Sequence, residues 1–191
     1  MRIGIDIDDT LTDTTPILRK YIKKYNASEE KNIDKITRGT YNVNDKIDFY
    51  KKYGHTIGNK ILFKSNAVEV VNKLYDEGNE IIIITARTND FFDDAYNFTY
   101  DYLTRNGLKF DKLLVAQIYK LNACINENID IMIDDAPDTI DSVVENGIDG
   151  ILFSTSKNST VDSKGARMYR WDDIYKYIHS KDKIYVKKNT R

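Results

Sequence analysis

Five short aliphatic runs recur along the 191 residues: Arg2–Ile7, Glu80–Thr85, Lys112–Ala116, Ile129–Ile133 and Gly150–Phe153, each separated from the next by helical sequence. Several of them, Ile81-Ile82-Ile83-Ile84 most plainly, lack polar alternation, the pattern of strands buried on both faces. Helix ends are readable between them. Ser65 stands where it would cap a helix running to Glu77 and closed by Gly78, and Asn89 or Asp90 opens a longer one ending near Asn106-Gly107. Pro137 marks a helix start and Gly147 its end. Strands separated by helices require right-handed crossovers, so the expected fold is α/β, a doubly wound parallel sheet. A strand-like run at Arg167–Arg170 precedes a last helix over Asp172–His179, which Trp171 is expected to anchor to the sheet, and residues 181–191 read as a polar, frayed tail.

From about Thr14 to Lys64 the alternation breaks. Two polar helical stretches, Pro16–Tyr25 and Asn44–Tyr53, are joined by loop-like residues around Arg38-Gly39. The segment is too long for an ordinary crossover and too poor in apolar residues for a separate core. It reads as a small helical cap, residues 14–64, inserted after the first strand of a core made of residues 1–13 and 65–191. The net charge is -1 with acids and bases interleaved, which gives no basic face for a nucleic-acid polymer. Asp6 and Asp8 interrupt the only early apolar run, so no secretory signal is expected, and no stretch approaches the roughly 20 apolar residues of a membrane span. The single cysteine, Cys124, falls in a helical stretch and fits a cytoplasmic protein. A homo-oligomer is left open.

In a doubly wound sheet, functional residues gather at the carboxyl ends of strands near the point where strand order reverses. Three runs here end in reactive side chains: Asp6 and Asp8 with Asp9 and Thr10, then Thr85-Ala86-Arg87, then Asp134-Asp135 with Asp138 one turn on. Lys120 precedes the fourth run at the start of its helix, with Lys109 and Lys112 as competitors for the same role. Clustered carboxylates repel one another unless they share a cation or a proton. A donor set of oxygens alone selects a hard divalent ion, Mg2+ before Zn2+. A strand ending in a polar turn would account for one or two of these acids. An acid pair, a hydroxyl, a lysine and a second acid pair, in that order, are the parts of phosphoryl transfer.

These residues resemble the four motifs of the haloacid dehalogenase (HAD) superfamily of phosphatases: Asp-x-Asp-x-Thr at Asp6, Asp8 and Thr10, the hydroxyl at Thr85, Lys120, and Asp134-Asp135. The insertion after the first motif is similar to the type 1 caps of that superfamily. The runs Ile84-Thr85-Ala86-Arg87 and Ile133-Asp134-Asp135 resemble the 5′-nucleotidase branch that includes the 5′(3′)-deoxyribonucleotidases. The resemblance implies a HAD-like Rossmannoid core with Asp6, Asp8, Thr85 and Lys120 as catalytic residues. Asp6 would attack phosphorus and form an aspartyl-phosphate. Asp8 would protonate the leaving oxygen and later take a proton from water, which calls for a carboxyl held protonated near neutrality by neighbouring negative charge. Mg2+ would be held by Asp6, the Asp8 carbonyl and Asp135, with Asp134 supporting Lys120 or a metal-bound water, or exchanging roles with Asp135. Thr10, Thr85, the Ala86 amide and Lys120 would surround the phosphoryl group. Arg87 would either reach a second phosphate or pair with an acid, and Asp9 stands where many relatives carry glycine.

Non-phosphate contacts are expected from the cap. Phe49 and Tyr53 are four residues apart on its second helix and could offer a base a stacking surface, with Tyr41 and Tyr50 nearby; packing within the cap is the competing use. Phe91-Phe92, Tyr96 and Tyr100 have helical spacing and read as core, while His55 and His179 read as surface residues. The substrate expected is a small phosphorylated metabolite, first a nucleoside 5′-monophosphate and second a sugar phosphate. A receiver-like phospho-acceptor module is the non-enzyme alternative. Receivers, however, phosphorylate an aspartate on a middle strand, and the middle strand here ends in Thr85. A catalytically dead binding protein is a further option, although every expected catalytic side chain is present, and turnover of an aryl phosphate would separate the enzymes from both.

Overall fold

The computed structural model describes residues 1–29 and 43–189, and side chains within them except those of Val43 and residues 182–189. The loop expected around Arg38-Gly39 and Tyr41 lie outside the described residues. Six parallel strands, β1 (Arg2–Ile5), β2 (Glu80–Ile84), β3 (Lys112–Leu114), β4 (Ile131–Asp134), β5 (Asp149–Phe153) and β6 (Ala166–Met168), form one sheet in the order β3-β2-β1-β4-β5-β6. The chain builds outward from β1 to β3, then returns to lay β4 on the other side of β1. The reversal therefore falls between β1 and β4, the strands that lead into the two acid pairs.

The unbroken isoleucine run of β2 is explained by helices on both faces. Ile81 and Ile83 join Ile3, Ile5, Ile131 and Ile133 beneath α3 (Ala67–Asp76), α4 (Ala95–Arg105) and α7 (Trp171–Asn189). Ile82 and Ile84 join Met132 and Leu152 beneath α5 (Leu121–Asn126) and α6 (Pro137–Glu145). Each such fully buried side chain contributes about 1.5–3 kcal/mol, so neither face can be surrendered to water.

Several boundaries differ from expectation, each for a local reason. β1 stops at Ile5 because the Ile7 carbonyl accepts from the amides of Thr10, Leu11 and Thr12 and curls the chain into a turn. Asn66, not Ser65, is the cap residue of α3; it has φ 61°, and its Nδ2 donates to Asp172 at 3.0 Å. α4 opens at Ala95 because Asp94 accepts from the Asn97 amide at 3.0 Å, while Asn89 caps from further back through the Ala95 amide. α7 runs on to Asn189 where a frayed tail was expected. No glycine or proline interrupts it, and Lys181 ties it to Asp149 at 2.7 Å.

The segment between β1 and α3 folds as two helices, α1 (Thr14–Glu29) and α2 (Val43–Gly58). Contrary to the expectation of too little apolar content, they share a core of their own. Tyr25, Phe49, Tyr53, Ile57 and Ile61 are buried together, because aromatic rings supply the apolar area that aliphatic residues do not. The two connections to the sheet lie side by side: the Asp13 amide donates to the Leu62 carbonyl at 2.9 Å and the Lys64 amide to the Leu11 carbonyl at 2.8 Å. α2 also rests on the 91–98 segment. A Cβ at Gly54 would stand 2.6 Å from the Phe91 carbonyl, and one at Gly58 would stand 2.5 Å from the Phe98 ring.

Candidate active site

Past the end of β1, the Asp6 amide donates to the Ile133 carbonyl at 3.0 Å, which fixes Asp6 beside the end of β4. Lys120, the residue immediately before α5, reaches across the switch point; its Nζ donates to Asp6 at 2.5 Å and to Asp134 at 2.6 Å. The competing lysines are spent elsewhere, Lys109 on Asp76 and Lys112 on Glu127. Burial works against the Lys120 charge, but Asp134 and Asp6 outweigh it and hold the ammonium protonated beyond the ordinary lysine range. The second Asp134 oxygen accepts from the Ala136 amide at 2.8 Å, so both of its oxygens are occupied.

Asp135 differs. Among the described residues no hydrogen bond falls on its carboxylate, and only its backbone carbonyl is bonded. Burial, then the charges of Asp6, Asp134 and Asp9, push its carboxyl up to about 8. Asp6 is pushed up to about 7 by burial, with Asp134 and Asp8 adding to the effect and Lys120 opposing it. Carboxylate oxygens of Asp6, Asp134 and Asp135 lie within 4.8 Å of one another. One lysine among these acids leaves negative charge uncompensated, and the donors are all oxygen. That set fits a hard divalent cation such as Mg2+.

Asp8 stands apart from this cluster and overturns one expectation. Arg87 grips its carboxylate with two parallel bonds, from Nε and Nη2, both at 2.9 Å. Thr14 at the start of α1 donates to it at 2.7 Å. Burial favours the neutral acid, yet Arg87 and then Thr14 hold Asp8 below the usual carboxylate range. It is an ionised carboxylate in this arrangement, not one kept protonated by negative neighbours. Arg87 itself is buried between the faces of Phe92 and Tyr102, with Nη1 unpartnered among the described residues.

Thr85 is buried at the end of β2 with Ala86 exposed beside it, and Thr10 is buried with an unpartnered hydroxyl, its carbonyl accepting from the Trp171 indole at 3.2 Å. Asp9 adopts φ 63°, the left-handed conformation that suits glycine, and its carboxylate accepts from the Thr15 amide at 2.8 Å and from Lys157 at 2.5 Å. Above these residues lies a cavity of about 220 Å³, floored by Asp8, Ala86 and Arg87 and walled by Tyr50, Phe91 and Phe92, with Lys46 and Lys157 at its sides. A roomier groove of about 570 Å³ among Tyr75, Tyr96 and Tyr100 is remote from the acids.

Phe49 and Tyr53 do not face this cavity. Their rings pack on Tyr25 and Tyr21 of α1, so the face they share is the inner face of the helix pair. The wall is made instead by Tyr50 and Phe91, whose centroids are 4.5 Å apart. Phe91, expected to be core, therefore lines the cavity, and Tyr96 and Tyr100 are exposed on α4. His55 packs on the Phe98 ring and His179 pairs with Glu77, both away from the acids. Sequence reasoning missed Thr14, Lys157 and Asn158. The last two follow β5, a strand end at the same edge of the sheet, and that position was the available signal.

Residues 1–184 match the family model described as 5′ nucleotidase, deoxy (Pyrimidine), cytosolic type C protein. The chain belongs to this 5′-nucleotidase family. No curated protein matches it. Solved structures share the family chain's fold along nearly its whole length. A predicted phosphatase from Clostridium acetobutylicum has 16% identity and a TM-score of 0.70, over 94% of this chain and 98% of that one. A predicted phosphoglycolate phosphatase from Haemophilus somnus 129pt has 17% identity and a TM-score of 0.68, over 93% and 97%. The HAD-hydrolase YfnB from Bacillus subtilis, bound to magnesium, has 12% identity and a TM-score of 0.61, over 92% and 97%. The family match makes the chain a 5′-nucleotidase-type hydrolase in place of a receiver-like module, and the solved structures show that it has the fold of HAD-like hydrolases.

Proposed function

We propose that this chain is a Mg2+-dependent phosphomonoesterase that acts through an aspartyl-phosphate on Asp6, with (deoxy)nucleoside 5′-monophosphates as substrates. The observation that carries this reading is the meeting of Asp6, Lys120, Asp134 and Asp135 at the switch point, with Asp8 of the same turn lining an aromatic-walled cavity. Asp6, Asp135 and the Asp8 carbonyl would hold Mg2+, which supplies charge neutralisation for the phosphoryl oxygens. Lys120 orients Asp6 and compensates charge in the transition state, with Thr85 and the Ala86 amide binding phosphoryl oxygens. A bound phosphoryl group offers Arg87 a second anion, and that exchange would release Asp8 to work as acid and base. The α1–α2 pair, residues 14–64, acts as a cap whose Tyr50, together with Phe91, contacts a base. The word cytosolic in the family's printed description supports a cytoplasmic location.

The modest cavity favours one second reading, a smaller phosphometabolite such as a sugar phosphate or phosphoglycolate, the substrate in the printed name of one structural neighbour. Release of inorganic phosphate from a panel of nucleoside monophosphates, sugar phosphates and a nitrophenyl ester tests both. The first reading expects kcat/KM to be highest for nucleotides, with no release by Asp6→Asn. A sugar phosphate ahead of every nucleotide would give the substrate to the second reading, and no release from any ester with Mg2+ present would end both.

A further inference from the structure

Among the described residues, Asp135 is the one acid of the cluster whose carboxylate accepts no hydrogen bond, so its backbone is what positions its oxygens. That backbone is gripped by Asn158. Asn158 is 3% exposed, lies five residues beyond the end of β5, and spends its amide mainly on main-chain groups, its Oδ1 also accepting from Arg167 Nη1 at 3.4 Å. Its Nδ2 donates to the Asp135 carbonyl at 2.7 Å and to the Phe153 carbonyl at 2.9 Å, and its Oδ1 accepts from the Thr155 amide at 2.8 Å. Arg167 braces the same loop through Ser154 at 3.1 Å and the Asn158 carbonyl at 3.2 Å. The neighbouring Lys157 ties the loop to Asp9, in the turn that carries the first acid pair. The segment 154–158 thus connects the turn after β1 to the turn after β4, the two sources of candidate metal ligands.

We propose that Asn158 is a positioning residue for the metal site, setting where the Asp135 carboxylate stands and through it the affinity for Mg2+. The proposal rests on the Mg2+ reading above. Its physical basis is the rigidity that Mg2+ demands: near-octahedral geometry at about 2.0–2.1 Å, where Ca2+ accepts longer and more varied contacts. A ligand carried on an unbraced turn can still meet Ca2+ but meets Mg2+ poorly. Contacts of this supporting kind typically set metal affinity by about 10- to 100-fold. A purely structural asparagine would instead lower the stability of the metal-free protein and leave discrimination between the two ions unchanged.

The test is thermal melting of the metal-free full chain titrated with Mg2+ or with Ca2+, for wild type and Asn158→Ala, with apparent Kd read from the rise in Tm. The expected result is a Mg2+ Kd about 10- to 100-fold weaker in Asn158→Ala, with the Ca2+ Kd moved much less. Should that variant not fold, Asn158→Ser, which keeps an acceptor for the Thr155 amide on a shorter side chain, carries the same expectation. A folded variant with Mg2+ Kd within about 3-fold of wild type would overturn the proposal, as would equal losses for both ions. A wild-type chain whose Tm does not respond to Mg2+ would overturn the metal reading itself, a result visible without any variant.

Discussion

Asp8 answers to two groups that the sequence places far apart, Arg87 after β2 and Thr14 at the start of α1. Its motif position was legible from the spacing to Asp6; its ionisation was not, because the deciding partner is 79 residues away. Lys120 is legible as the one of three candidate lysines at a helix start ahead of Asp134, whereas the acid that each lysine meets is not. Asp6→Asn is expected to abolish turnover, since an amide cannot form the acyl-phosphate; near-native rates would place the nucleophile elsewhere. Asp8→Asn is expected to lose about 10²- to 10⁴-fold on alkyl esters such as nucleotides, the scale of general acid-base catalysis. In its first half-reaction the loss on nitrophenyl phosphate is smaller, because that leaving group departs without a proton. Equal losses on both esters would deny Asp8 the role of acid.

On the scale of elements, the helical periodicity of α2 was readable and its orientation was not. Phe49 and Tyr53 do share a face, but Tyr21 and Tyr25 of α1 decide that this face turns inward, and no local pattern in α2 encodes that partner. Phe49→Ala is therefore expected to cost about 3–5 kcal/mol of stability, or to unfold the α1–α2 pair locally, with losses alike on nucleotide and aryl phosphate. Phe91→Ala and Tyr50→Ala are expected to behave differently. If a base stacks on this wall, kcat/KM for nucleotides falls about 10- to 100-fold, and hydrolysis of a small aryl ester falls much less. Matched losses on both substrates would leave the wall a folding role only. Steady-state kinetics beside denaturant melts separates these outcomes.

For the molecule as a whole, the alternation of aliphatic runs and capped helices carried the fold, because a sheet covered on both faces needs apolar residues at every strand position. Strand order was implied only through crossover handedness. The loop after β5 was silent because Asn158 meets main-chain carbonyls, which no residue pattern marks. The acid cluster has a consequence for global stability. Asp6 and Asp135 titrate near 7 and 8 in the folded chain and near 3.8 otherwise, so the folded state holds protons that the unfolded state has lost. Stability of the metal-free protein is then full below about pH 4 for these groups and is lost as pH rises through 7 to 8. A change of ~1 kcal/mol moves Tm by about 2–4 °C in a chain of this length, so the decline is measurable. If Asp6 and Asp135 hold Mg2+ as proposed, the cation would take over the neutralisation and raise Tm more at pH 8 than at pH 5. A Mg2+ effect independent of pH would mean that the cation binds away from Asp6 and Asp135. Whether Asp6 is the nucleophile is decided by trapping the intermediate: Asp8→Asn mixed with nitrophenyl phosphate and Mg2+, quenched in acid and mapped by mass spectrometry. A burst of about one nitrophenolate per chain and a phosphoryl group on the peptide bearing Asp6 are expected. Nitrophenolate release with Asp6 unmodified would contradict that role.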